Sequence, residues 1–179
     1  MHSASTQKTM DPKPINPKTS SSTNFEVPEY LESLTSQVPA IHLLMRMGYK
    51  LLLPAEADTL RGGRRSEVIL EPILREWLRK NASFEAGGRR RPFSESSIDK
   101  AIAKLIKIDD GAGLASANEK KYAQLRYAPS QEENVDGIKR SHPLNLVDFD
   151  HFEKNEFHVV PEFSVARTGS TETCRLDIV

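Results

Sequence analysis

The chain has 179 residues, about the length of one ordinary domain and enough to bury a sizeable core. It carries 25 basic and 25 acidic side chains, which excludes bulk attraction to a polyanion as its way of binding. No apolar run approaches the roughly 20 residues that cross a bilayer, and the N-terminal residues do not form a signal peptide, so we expect a cytoplasmic protein without a membrane partner. A single cysteine, Cys174, excludes an internal disulfide framework and a zinc site built from cysteines.

The first part of the chain is polar. Residues 1–24 contain five Ser, four Thr, three Pro and three Lys, with almost nothing to bury. Ordering them would cost more conformational entropy than their contacts could offset. We therefore expect a disordered leader over residues 1–27 and one domain over residues 28–179.

Apolar residues at helical spacing predict four helices in the middle of the chain. Pro72 lies inside the second, so this helix either begins near Leu70 or is kinked. Either Ser94 or Ser96 caps the third. The predicted helices cover residues 39–47, 66–80, 94–107 and 115–127.

Strand patterns lie on both sides of these helices. A short strand over residues 49–53 is closed by Pro54, and residues 156–166 alternate so that Phe157, Val159, Phe163 and Val165 share one face. The order predicts an α+β (α/β) fold, in which N-terminal helices are followed by a mixed β-sheet. Residues 175–179 resemble the start of a further buried strand, which favours either a short C-terminal edge strand or a truncated larger protein.

Several separated segments match one family in a fixed order. These segments include Met47-Gly48-Tyr49, Leu60-Arg61-Gly62-Gly63-Arg64, Pro92-Phe93-Ser94-Glu95-Ser96, Asn118-Glu119-Lys120, Arg167-Thr168-Gly169-Ser170 and Asp177-Ile178-Val179. On these segments, the chain resembles the N-terminal region of the R (restriction) subunit of type I restriction-modification enzymes over about residues 34–179.

The resemblance implies a nuclease of the PD-(D/E)xK class with a restriction-endonuclease-like sheet. Asp177 matches the aspartate of that signature and is the expected catalytic residue and Mg²⁺ ligand, because carboxylate oxygens suit this hard cation. The acid and lysine that complete the signature on the next strand would follow Val179. We therefore expect an incomplete sheet and no cleavage by this polypeptide alone. The family's Arg-Pro-Asp is Arg175-Leu176-Asp177 here.

Glu119 is a second candidate for catalysis and for metal binding. It shares a helix face with Ala115 and Tyr122 rather than with the solvated side, and nucleases of this class often contribute a carboxylate from a helix before the sheet. The alternative is a partly exposed glutamate that pairs with Lys120 or another neighbour.

Two glycine-containing loops are rich in arginine, which can make two hydrogen bonds to one phosphate. Residues 60–107 hold twelve basic and six acidic groups, whereas residues 131–179 hold five basic and ten acidic groups. A basic region beside an acidic metal-binding region suits a nuclease that holds double-stranded DNA by its backbone. The alternative is that these arginines only keep the loops soluble. The candidate DNA-binding residues are Arg61, Arg64, Arg65, Arg89, Arg90 and Arg91.

The remaining motifs give little chemistry. No phosphate-binding loop for ATP is present, so ATP would act only through a motor region that this sequence lacks. Four histidines, His42, His142, His151 and His158, lack metal-ligand spacing, and Cys174 has no nearby base. In the family, methylation and specificity subunits are the protein partners, through regions mostly absent here. The alternative to a nuclease fragment is a non-catalytic fragment that binds DNA or another protein.

Overall fold

A computed structural model describes residues 36–107, 111, 113–167 and 170–179. Five α-helices lie in this part of the chain: α1 (Val38–Arg46), α2 (Pro54–Leu60), α3 (Glu71–Asn81), α4 (Glu95–Ile106) and α5 (Leu114–Arg126). The same residues form eight strands: β1 (Lys50–Leu51), β2 (Ser83–Ala86), β3 (Arg89–Pro92), β4 (Ser130–Val135), β5 (Ile138–Pro143), β6 (His158–Val159), β7 (Pro161–Ala166) and β8 (Thr173–Ile178). The predicted leader, residues 1–27, lies outside the described residues. The predicted α+β class is confirmed.

The four helices predicted from apolar spacing are present as α1, α3, α4 and α5. Pro72 lies in the first turn of α3, where its missing N–H costs nothing, so the helix begins at Glu71 and is not kinked by the proline. Ser94 caps α4, since its hydroxyl accepts a hydrogen bond from the Ser97 N–H at 3.3 Å. Gly48 follows the C-cap residue of α1, Met47, and adopts a φ of +99°, in the left-handed region that favours glycine. None of the described helices is long and apolar enough to span a membrane.

Helix α2 was not predicted. Pro54 closes the predicted strand, but it also occupies the first turn of a helix, where its fixed φ suits the α-conformation. The Glu56 carboxylate accepts a hydrogen bond from the Leu53 N–H at 2.8 Å and so satisfies a donor at the start of the helix. As a result, the chain after Pro54 forms a helix that leads directly into Arg61.

The larger of two hydrophobic cores lies between α3, α4 and two β-hairpins, β2–β3 and β4–β5. Phe84 of β2 packs on Phe93, with 4.9 Å between the ring centroids. Both hairpins turn through two residues with positive φ, which is the backbone of a type I′ turn: Gly87-Gly88 and Asp136-Gly137. The core consists of Trp77, Leu78, Phe84, Phe93, Ile98, Ala101, Ile102, Leu105, Leu144 and Leu146.

The smaller core contains Ala57 of α2, Val160 and Phe163. Val160 and Phe163 belong to an extended ribbon, residues 157–166, whose first half (β6) pairs with β1 in parallel and whose second half (β7) pairs with β8 antiparallel. The Val160 N–H donates to the Val179 carbonyl at 2.7 Å, so the second pairing begins at Val160. Because the ribbon changes partners there, the adjacent Val159 and Val160 are both buried. The predicted alternation across the whole run is therefore wrong at this point.

Candidate functional site

Asp177, the predicted catalytic aspartate, lies near the end of β8. The pairs Pro161 with Ile178 and Phe163 with Leu176 place Asp177 opposite Glu162 of β7. The Asp177 side chain is exposed, and its carboxylate has no hydrogen-bond or ion-pair partner among the described residues. An unpaired carboxylate on a strand can accept a cation without first losing another partner.

Glu162 brings a second carboxylate next to Asp177. Its φ is +54°, a left-handed conformation that is uncommon for a residue other than glycine. Its Oε1 atom accepts a hydrogen bond from Gln37 Nε2 at 3.1 Å. Its buried Oε2 atom forms an ion pair with Arg175 Nε at 2.6 Å, but the angle of this contact is not that of a hydrogen bond. Gln37 Nε2 also donates to the backbone carbonyl of Asp177 at 2.8 Å. Glu162 and Gln37 were not among the predicted site residues.

Glu119, the second predicted acid, lies on an exposed face of α5. Ala115 and Tyr122 share this face and are exposed as well, and Tyr122 has 63% of its surface accessible. The buried position of α5 is Ala117, and Lys121 holds the helix to the end of α4 by donating to the carbonyl of Lys104 at 2.8 Å. The expectation that the Glu119 face is turned away from solvent is therefore wrong. No hydrogen bond or ion pair joins Glu119 to Asp177.

Mg²⁺ binds oxygen ligands and usually takes one or two carboxylates while keeping several waters. The open carboxylate of Asp177 fits one such ligand. Glu162 lies directly across the ladder, but Gln37 and Arg175 already hold its two oxygens. The described residues contain no group of three or more His, Cys, Asp or Glu side chains that could hold a metal ion. The chain therefore offers part of a Mg²⁺ site, centred on Asp177.

Arg61, one of the predicted DNA contacts, is buried. Its side chain has no exposed surface, and its guanidinium forms an ion pair and two hydrogen bonds with Asp58, which lower the pKa of that carboxyl. It also donates to the Glu67 carbonyl at 3.3 Å and lies 4.3 Å from the centroid of the Phe163 ring. Because no part of this guanidinium reaches the surface, the predicted contact of Arg61 with DNA does not fit its surroundings. Its role is to join α2 to β7.

Arg64 and Arg65 lie in the loop after α2 and stay accessible, with 68% and 50% of their side chains exposed. Each has one loose ion pair at 3.6 Å, with Glu67 and Asp58 respectively. The Ala166 N–H donates to the Arg65 carbonyl at 2.8 Å, which fixes the loop to the far end of β7. The loop is therefore attached to the same β7–β8 hairpin that carries Asp177.

Arg89, Arg90 and Arg91 form most of β3, at the surface of the larger core. Arg90 Nε donates to Ser83 Oγ at 2.5 Å, and Arg91 lies 3.5 Å from the carboxylate of Asp136. The Arg89 side chain has no hydrogen-bond or ion-pair partner among the described residues. The predicted flexible loop is thus a hairpin that presents three guanidinium groups, on a different core from the one that carries Asp177.

Within the described part of the chain, the histidines and Cys174 belong to no group that could hold a metal ion. His142 packs on Phe84 with 4.2 Å between ring centroids, and His158 is half-buried in β6, where burial and then the nearby Lys50 lower its pKa. Cys174 is exposed on β8.

A family model described as type I restriction enzyme R protein N terminus matches residues 29–179. The match confirms the resemblance found in the separated sequence motifs, and the matched segment includes Asp177, Glu119 and both arginine segments. No curated protein matches the chain, and no solved structure matches it.

Proposed function

The chain belongs to the family of type I restriction enzyme R protein N termini, and on this premise we propose that it supplies the DNA-cleaving region of a restriction subunit. The reaction would be Mg²⁺-dependent hydrolysis of a DNA phosphodiester. In the complete enzyme, cleavage would follow ATP-driven translocation by a motor region, and methylation and specificity subunits would be the protein partners.

The observation that supports this proposal is the exposed, unpaired carboxylate of Asp177 on β8, within the segment that the family model matches. Asp177 would hold Mg²⁺, which activates water and neutralises charge that develops on the scissile phosphate. Glu119 is a weaker candidate as a ligand, because the structure shows no contact between it and Asp177. With one open carboxylate in place, we expect this polypeptide alone not to nick plasmid DNA.

The hairpin also supports backbone contact with DNA. Ala166, which is bonded to the Arg65 loop, lies four residues along β7 from the position opposite Asp177. At about 3.3 Å per residue this is roughly 13 Å, or about four base pairs of duplex. Arg64 and Arg65 could therefore hold phosphates on a duplex whose scissile phosphate lies at Asp177. The three arginines of β3 would extend the contact from the larger core.

A salt titration of duplex binding tests the DNA contact. We expect Arg64→Gln with Arg65→Gln to weaken binding of a labelled duplex of arbitrary sequence and to lower the slope of log affinity against log salt by about 2. Lys100→Gln with Lys104→Gln is the control, because it removes two exposed charges from α4. Equal losses in both double variants would contradict a specific role for the loop.

Metal binding is tested separately. Mn²⁺ should broaden the backbone NMR signals of residues 175–179, Mg²⁺ should compete with it, and Asp177→Asn should abolish the effect. Broadening that survives Asp177→Asn would refute the assignment of the metal to this residue. Nicking of plasmid DNA by the purified chain, lost in Asp177→Asn, would show that one open carboxylate suffices and would contradict the expected inactivity.

A further inference from the structure

Arg175 is a potential competitor for the carboxylate of Asp177. The two residues are separated by one position on β8, so their side chains project from the same face of the strand. A guanidinium this close could pair with Asp177 and occupy the oxygens that a cation needs. The structure instead shows Arg175 Nε at 2.6 Å from Glu162 Oε2.

Glu162 reaches this position at a cost. A residue other than glycine with φ near +54° is strained and persists only where its surroundings hold it. Two contacts hold Glu162: Arg175 on one oxygen and Gln37 on the other. Gln37 lies 125 residues away along the chain and binds the Asp177 carbonyl with the same amide nitrogen.

We infer that Glu162 diverts Arg175 from Asp177, and that Gln37 locks Glu162 in place, so that the carboxylate of Asp177 stays open for a divalent cation. Both are positioning residues that act through Arg175 and Asp177. The value of this arrangement for metal binding rests on the proposed function, whereas the pairing of Arg175 does not.

The pairing is tested without metal, through the side-chain Nε–H signal of Arg175 in NMR spectra. Asp177→Asn as a single substitution should leave the chemical shift of this signal as it is in the wild-type chain. Glu162→Gln, which keeps the shape and the acceptor for Gln37, should shift the signal, and adding Asp177→Asn to Glu162→Gln should shift it again because Arg175 has moved to Asp177. An Arg175 signal that ignores Asp177→Asn in the Glu162→Gln background would overturn the inference.

The contribution of Gln37 is tested by replacing its side chain. Gln37→Leu should shift the Arg175 signal in the direction of Glu162→Gln, whereas Gln124→Leu on α5 should not. An unchanged signal in Gln37→Leu would remove Gln37 from the inference.

Measurements of Mn²⁺ affinity then distinguish two roles for Glu162: holding Arg175 away from Asp177, or binding the metal itself. Glu162→Gln should weaken binding at Asp177 about three- to tenfold, and Arg175→Gln added to it should restore the wild-type affinity. If Glu162 were itself a metal ligand, the second substitution would not restore binding. The control is Glu172→Gln, which breaks the exposed ion pair with Arg167 at 3.1 Å on the same hairpin and should leave the affinity unchanged.

The failures are distinguishable. If Asp177→Asn leaves Mn²⁺ binding intact, the proposed metal site fails, while the Arg175 signal still decides the pairing. If Asp177→Asn abolishes binding but Glu162→Gln does not weaken it, the metal site stands and the diversion inference fails.

Discussion

Arg61 should be one of the most sensitive positions in the chain. Its replacement by alanine removes charge-assisted hydrogen bonds to Asp58, a bond to the Glu67 carbonyl at 3.3 Å and a ring contact with Phe163 at 4.3 Å. Hydrogen bonds to charged groups contribute about 1.5–3 kcal/mol, and a desolvated cation over an aromatic ring about 1–2 kcal/mol. The Asp58 side chain is 35% exposed and can turn to water, so we expect Arg61→Ala to lower the free energy of unfolding by about 3 kcal/mol.

Urea denaturation followed by far-ultraviolet circular dichroism measures this loss. Arg64→Ala is the control, because Arg64 lies in the same loop, is 68% exposed and has one ion pair at 3.6 Å. Its cost should stay within about 0.5 kcal/mol. At a temperature where both variants are folded, Arg61→Ala should also leave the salt slope of DNA binding unchanged. Equal stabilities for the two variants, or a lowered salt slope in Arg61→Ala, would refute the structural role of Arg61.

Two further predictions concern pH and helix capping. Burial, and to a lesser extent the charge of Lys50, lowers the pKa of His158. The neutral imidazole therefore contributes stability above about pH 6.5, and this contribution is lost as the pH falls through the lowered pKa of the folded state. His158→Gln should flatten that part of the curve of unfolding free energy against pH, and parallel curves for the variant and the wild type would contradict the prediction. Ser94 caps α4 and also donates to the Glu133 carboxylate at 2.9 Å. In thermal or urea unfolding, Ser94→Ala should therefore lower the free energy of unfolding by about 1–2 kcal/mol, whereas the control Ser96→Ala should lower it by less than about 0.5 kcal/mol. Equal losses in the two variants would show that Ser94 is not the cap.

The sequence patterns predicted α3 and α4 well because both helices bury apolar side chains in the larger core. Helices α1 and α5 were also predicted, although α1 has no buried residue and α5 buries only Ala117. The patterns missed the β2–β3 and β4–β5 hairpins, although Gly87-Gly88 and Asp136-Gly137 carry the signal for two-residue turns. The run of arginines after Gly88 favoured the interpretation as a loop, because β3 has few apolar side chains. A search for two-residue turns between short strands would have found both hairpins.

The site was predictable in part. Asp177 was predicted from the motif that it shares with the family, and its role as a metal ligand stays a prediction. The roles of Glu162 and Gln37 could not follow from local patterns, because Gln37 lies 140 residues from Asp177 and meets it only when α1 and β8 come together. The burial of Arg61 likewise depends on Phe163, which is distant in sequence and becomes its neighbour only in the fold.

The two cores also differ in how far apart along the chain their partners lie. In the larger core, the two hairpins and the α3–α4 pair join residues that are close in sequence, and Leu144 and Leu146 pack against them from farther along the chain. The pairing of β1 with the ribbon instead brings together segments such as Lys50 and Glu156, which are 106 residues apart. Because distant contacts carry the entropy of closing a long loop, we expect the larger core to fold first. The surroundings of Asp177 would then be completed last, on a scaffold that is already formed.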